Sequence, residues 1–194
     1  MAFRIEETFQ VDAPLAAVWS YLIDPRQVVR CIPGAELTGS ESDRVFLGTV
    51  KVKVGPVTVS YAGRAMLTEV DEAARQVRMT GVGRESGGAG SAKLSMTSRL
   101  AALPQGGTEI RVEADVDVAG KLVQFGRGMI EQVSKQLFRQ FAECVRGEMV
   151  GRATSTAAPP VATAVKPVRA VPLLLQSVWA MILRFVRRLA RRRE

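Results

Sequence analysis

Along the first two-thirds of the chain the apolar positions mostly recur at every second residue, the spacing of strands with one buried face. Phe3, Ile5, Phe9 and Val11 predict a strand over 3–11. Asp12 is then placed to cap a helix with Pro14 in its first turn, and Leu15, Val18, Trp19 and Leu22 follow at helical spacing. Asp24-Pro25 interrupts, a second short helix passes through Val28 and Val29, and Cys31-Ile32-Pro33-Gly34 ends it. Alternating segments follow at 44–54, 57–69, 75–83, 91–100 and 108–118, spaced like an antiparallel meander. The last is the clearest: Ile110, Val112, Ala114, Val116 and Val118 share one face, and Glu109, Arg111, Glu113, Asp115 and Asp117 the other. Over 121–149 the period changes to that of a helix, with Met129, Val133, Leu137, Phe141 and Val145 as its buried stripe.

The predicted order is strand, two short helices, several strands, one long helix. A single sheet with a single long helix must curl around that helix to bury both. The expected class is therefore α+β with a helix-grip architecture: a curved antiparallel sheet wrapped around a long C-terminal helix, over residues 1–150. Alternate turns of a meander lie at one end. Gly55-Pro56, Gly87-Gly88-Ala89-Gly90 and Ala119-Gly120 should gather there, either as a mobile mouth or as ordinary hairpin turns. The glycine-rich stretch is not a phosphate loop, because it lacks the Gly-Lys-Ser/Thr ending and no helix follows it.

Beyond the body the pattern changes twice. Residues 151–172, with Pro159, Pro160, Pro167 and Pro172 among Ala, Thr and Val, read as a disordered, semi-extended linker. Residues 173–194 read as an amphipathic tail helix. Leu174, Val178, Trp179, Ile182, Phe185 and Leu189 form its apolar face, and Arg184, Arg187, Arg188, Arg191 and Arg192 load its C-terminal half. Its apolar part, 173–183, would cover only about 16 Å as a helix, against about 30 Å of hydrocarbon. It suits lying in the membrane interface with arginines on anionic headgroups, each contributing about 1 kcal/mol. A helix docking on a partner protein is the alternative; the Leu, Trp, Ile and Phe content argues against nucleic acid.

Composition sharpens this division. The net charge is +8, but residues 1–150 hold equal numbers of acidic and basic side chains, so the excess belongs to the tail. The chain has no histidine, which excludes Ser-His and Cys-His nucleophile pairs and argues against a zinc site. Cys31 and Cys144 sit in no paired motif and read as two reduced thiols of a cytosolic protein. No apolar signal segment follows Met1.

Asp12-Ala13-Pro14, Val18-Trp19, Asp24-Pro25, Cys31-Ile32-Pro33-Gly34-Ala35 and the helix segment from Phe125-Gly126 to Phe141 together resemble the family of the carbon monoxide dehydrogenase G-subunit, within the START-like helix-grip superfamily. The resemblance covers about residues 1–150. It implies an accessory protein of a molybdenum hydroxylase, linked to attaching that enzyme to the cytoplasmic membrane; the expected location is peripheral, on the cytoplasmic face of the cell membrane. It also implies an apolar cavity between sheet and helix.

The residues expected to line such a cavity are Phe46, Val50, Val52, Val59, Tyr61, Val77, Met79, Met96, Phe125, Met129 and Val133. They are apolar, with adaptable methionines, and suit a long hydrophobic ligand or a filled core. Tyr61 either orients a ligand carbonyl or sends its hydroxyl to the surface. The expected partners are an anionic membrane surface, a hydrophobic small molecule (a respiratory quinone or a lipid) and molybdenum hydroxylase subunits, with no covalently bound cofactor, no metal and no nucleic acid. Two other classes remain: a docking scaffold with a filled core, and an enzyme using carboxylates or tyrosine. The latter needs an inward cluster of acidic side chains, which the strand patterns do not show.

Overall fold

The computed structural model describes residues 1–156, with side chains to Arg152. Strand β1 (Ala2–Val11) leads into α1 (Leu15–Leu22), α2 (Pro25–Val28) and one 3-10 turn, Val29–Cys31. Six strands follow: β2 (Ala35–Ser42), β3 (Val45–Val54), β4 (Val57–Asp71), β5 (Gln76–Glu85), β6 (Ser91–Ala102) and β7 (Thr108–Ala119). A 3-10 segment, Lys121–Phe125, then precedes α3, Gly126–Thr156. The strands form one antiparallel sheet in the order β1-β7-β6-β5-β4-β3-β2. The first strand thus closes on the last, and β1 and β2 are the two edges.

α3 lies along the concave face and seals two apolar clusters. At one end Phe9, Val18, Trp19, Tyr21 and Ile110 pack with Ala142, Val145 and Met149. The Phe9 ring meets Phe138 and Phe141 edge-on at 5.6 and 6.0 Å. At the other end Phe3, Val54, Val59, Tyr61, Val118 and Leu122 pack with Ile130. Each fully buried aliphatic side chain here contributes about 1.5–3 kcal/mol.

The helix-grip expectation holds, and the strand segments read from alternation all appear. β2 is an addition to them: with only Ala35 and Leu37 as apolar residues it is a polar edge strand, and its signal is pairing with β3 rather than hydrophobic alternation. The long helix starts later than residue 121. Gly126, at φ +74°, separates the 3-10 segment from α3. α3 continues through 151–156, which the sequence assigns to the linker. The rest of the linker and the tail helix 173–194, with all the membrane-facing residues named for it, lie outside the described residues.

Asp12 does not cap α1; Pro14 occupies the cap position without a side-chain bond. The Asp12-Ala13-Pro14 turn is held instead by the fully buried Thr108, whose hydroxyl donates to the Ala13 carbonyl at 2.8 Å. Asp24 is a true cap, accepting from the Arg26 N–H at 3.0 Å. The two cysteines are not free thiols: Cys31 and Cys144 form a disulfide, their Cα atoms 5.3 Å apart across 113 residues of sequence. Spacing along the chain could not show this, because α3 brings Cys144 back onto the 3-10 turn only in the folded state.

Candidate functional site

Across the middle of the concave face the side chains disappear. Gly48, Gly63 and Gly83 lie directly opposite one another on β3, β4 and β5. A Cβ at Gly63 would overlap the Val82 carbonyl oxygen, so the strands approach here as only glycine allows. The next row toward the glycine-rich end is Val50, Tyr61 and Glu85. The Tyr61 ring leans beside the strip, its Cδ1 within 3.9 Å of where a Gly83 Cβ would stand.

Tyr61 is 4 % exposed and belongs to the apolar cluster with Val54, Val59, Leu122 and Ile130. Among the described residues its hydroxyl is the buried side-chain polar atom left without a hydrogen-bond partner. Burial pushes the phenol above its usual range, and the neighbouring Glu85 charge adds to the effect. The hydroxyl therefore remains a proton donor at neutral pH, in an apolar setting, with nothing to donate to. An unmade bond of this kind costs about 1–3 kcal/mol.

Glu85 faces the same way and is buried. The Gly90 N–H donates to its Oε2 at 3.1 Å, and the Lys121 ammonium lies 3.2 Å from Oε1. The glycine-rich stretch wraps this carboxylate: a Cβ at Gly88 would come within 2.6 Å of both carboxylate oxygens. The turns at Gly87–Gly90 and Gly120 do meet at one end, as meander logic requires, and Glu85 ties them together. Glu85 is a single buried carboxylate on the inner face at this end of the sheet. Period two along β5, from Val77 and Met79 through Gly81 and Gly83, points to it. The same count along β1 places Glu7 inward, between Ile5 and Phe9.

The eleven residues expected to line a cavity are distributed as follows. Val59 and Tyr61 sit in the cluster at the glycine-rich end, with Val50, Val52, Phe125 and Val133 packed against it. Val77 lies in the opposite cluster, and Met96 packs on it. Phe46 is buried and Met79 half-buried, in neither cluster. Met129 is 42 % exposed, because the buried stripe of α3 starts one residue later, at Ile130.

Met129 instead borders a cleft of about 500 Å³ between α3 and the end of β3. Its walls are Met129, Val133 and Leu137 of α3, the parallel row Gln132, Gln136 and Gln140, and opposite them Pro33, Gly34, Lys51 and Lys53. Gly34, at φ +75°, lies so close to Lys51 that a Cβ would overlap the Lys51 carbonyl oxygen. This is the physical reason for the Pro-Gly break after Ile32. A second depression, about 400 Å³, crosses β1, β7 and β6 between Arg4, Lys93, Asp115 and Asp117. Among the described residues no group of His, Cys, Asp or Glu could hold a metal ion, and no helix is long and apolar enough to cross a membrane.

A sheet curled over one long helix, with an apolar inner face, defines a START-like helix-grip protein. The chain belongs to the CoxG family, that of the carbon monoxide dehydrogenase G-subunit, whose model matches residues 8–150. Solved structures share the fold at low identity. A conserved protein from Geobacillus kaustophilus superposes with a TM-score of 0.69 at 18% identity, covering 77% of this chain and 96% of its own. The Zhui aromatase/cyclase from Streptomyces sp. R1128 gives 0.60 at 20% identity, covering 82% and 100%. A START superfamily protein from Mycobacterium smegmatis gives 0.53 at 14% identity, covering 77% and 98%. No curated protein matches the chain.

Proposed function

We propose that this protein is a non-catalytic, membrane-tethered accessory protein of a molybdenum hydroxylase of the carbon monoxide dehydrogenase type, and that it carries a hydrophobic, carbonyl-bearing molecule such as a respiratory quinone between sheet and helix. The observation that carries the reading is the Tyr61 hydroxyl, buried among apolar side chains with its proton undonated. A quinone offers what that position lacks: an oxygen acceptor attached to an apolar body. The half-buried Met79 and Met96, opposite each other on β5 and β6, can yield to a bulky tail. Glu85 is engaged by Lys121 and Gly90, which supports a structural use of this buried carboxylate rather than proton transfer.

The family name supports partnership with carbon monoxide dehydrogenase. The sequence of residues 173–194 supports peripheral attachment to an anionic membrane on the cytoplasmic face. The Cys31–Cys144 bond weighs against that location, since disulfides are rare in the cytosol. Thiol alkylation in intact cells before lysis decides it: reduced cysteines support the cytoplasmic face, and oxidised ones move the protein to an oxidising compartment.

The well-packed clusters at both ends favour a second reading, a docking scaffold whose core stays filled. Quinone titration of the full chain in detergent-free buffer separates the two. Saturable binding weakened in Tyr61→Phe supports the carrier; the absence of binding leaves the scaffold.

A further inference from the structure

The cleft beside α3 contains an unfinished strand edge. β2 pairs with β3 from Ser42↔Val45 to Ala35↔Val50, and the last bond on that side runs from the Lys51 N–H to the Gly34 carbonyl at 2.9 Å. In an antiparallel strand every second residue presents its N–H and C=O to the same side. Lys53 therefore presents both groups to the cleft, beyond the point where β2 ends. Its parity also excludes it from bonding to β4, where Val54↔Val57 closes the hairpin. Among the described residues no hydrogen bond is formed by the Lys53 backbone on that side, by the side chains of Gln132, Gln136 and Gln140, or by either lysine ammonium.

We infer that this cleft receives an extended, acidic segment of a partner polypeptide, which adds to β3 beyond the end of β2. Alternation fixes how such a segment lies. Lys51 and Lys53 point to the outer face of β3, opposite to Val50, Val52 and Val54. A strand paired there turns every second side chain outward beside the lysines and the others inward toward Met129, Val133 and Leu137. Carboxylates suit the outer positions and aliphatic groups the inner ones. The wall from Met129 to Gln140 is about 16 Å long, the reach of about five extended residues.

The row of three glutamines favours a peptide over an acyl chain, because amides can bond a peptide backbone and gain nothing from hydrocarbon. A second copy of this chain is disfavoured, since edge-to-edge pairing would set its own lysines against these. The inference rests on the fold and not on the quinone reading.

The test uses the full chain, labelled with ¹⁵N, and a capped octapeptide alternating Glu and Val. The expected result is saturable binding that shifts and protects the Lys53 amide and moves the side-chain amides of Gln132 and Gln136. The double variant Lys51→Glu/Lys53→Glu, altered only at exposed side chains, should bind this peptide at least tenfold more weakly and gain affinity for an octapeptide alternating Lys and Val. No binding at millimolar peptide, shifts confined to other surfaces, or indifference to the charge reversal would overturn the inference. So would oleate shifting these same groups when the peptide does not, which would make the cleft an amphiphile site.

Discussion

Tyr61 and Glu85 stand directly opposite each other on β4 and β5, side chains toward the helix, yet only Glu85 has its hydrogen-bonding needs met. Fold and proposed function meet in this pair. The carboxylate holds the glycine-rich end together, and the hydroxyl beside it is the group that the proposed ligand would engage.

Replacing Tyr61 by Phe should separate stability from binding. The change removes a buried hydroxyl with no partner, so the ligand-free protein should gain about 1 kcal/mol or stay unchanged. Affinity for a quinone should fall about fivefold to tenfold, the loss of one ordinary hydrogen bond. Urea unfolding and fluorescence titration of the same samples check both. A destabilised variant would mean that Tyr61 has a partner in the folded protein.

Alkaline pH gives a second check on the same residue. Burial raises the Tyr61 phenol above its ordinary value, and it raises Tyr21 in the same sense. Below pH about 10 both folded and unfolded phenols stay protonated, and this contribution is fully present. Above it the unfolded chain ionises first, the folded state holds more protons, and stability falls as pH rises. Urea midpoints between pH 8 and 11 should therefore fall less steeply in Tyr61→Phe than in the wild type, and least in the double variant with Tyr21→Phe.

The Glu85–Lys121 pair is asymmetric. Lys121 is mostly exposed, whereas the Glu85 side chain is only 5% exposed. Lys121→Ala should cost at most about 1 kcal/mol. Glu85→Ala leaves the Gly90 N–H without its acceptor and opens space under the glycine-rich turn, and should cost about 1–3 kcal/mol. Hydrogen exchange at the Gly90 amide should speed up in the Glu85 variant and change little in the Lys121 variant.

The Cys31–Cys144 bond ties the Cys-Ile-Pro-Gly segment to the second half of α3. Its long loop restricts the unfolded chain, so removing it should cost about 2–4 kcal/mol. Denaturant unfolding of wild type and of Cys31→Ala/Cys144→Ala, with and without reductant, measures this. The reductant should shift the wild type only.

Period two makes β1 and β3 to β7 legible in the sequence, because each has one buried face. The same period places Glu85 and Glu7 inward, but the apolar pattern alone does not show them. β2 is not legible, since an edge strand with two apolar residues carries little hydrophobic signal. The disulfide and the cleft are hidden for a different reason: the first joins α3 to Cys31 and the second joins it to residues 33–34 and 51–55, all distant from it in the chain. Met129 shows the limit of helical periodicity, which fixes the width of a stripe better than its edge. Tyr61 is legible as a candidate, but its missing partner is a property of packing alone.

The most direct test is to purify the full chain without detergent, extract it with organic solvent and identify what is released by mass spectrometry, alongside Tyr61→Phe. The account predicts a co-purifying isoprenoid quinone or a related carbonyl-bearing lipid near one per chain, reduced in the variant. A wild-type protein that releases nothing, and takes up no added quinone, would contradict it.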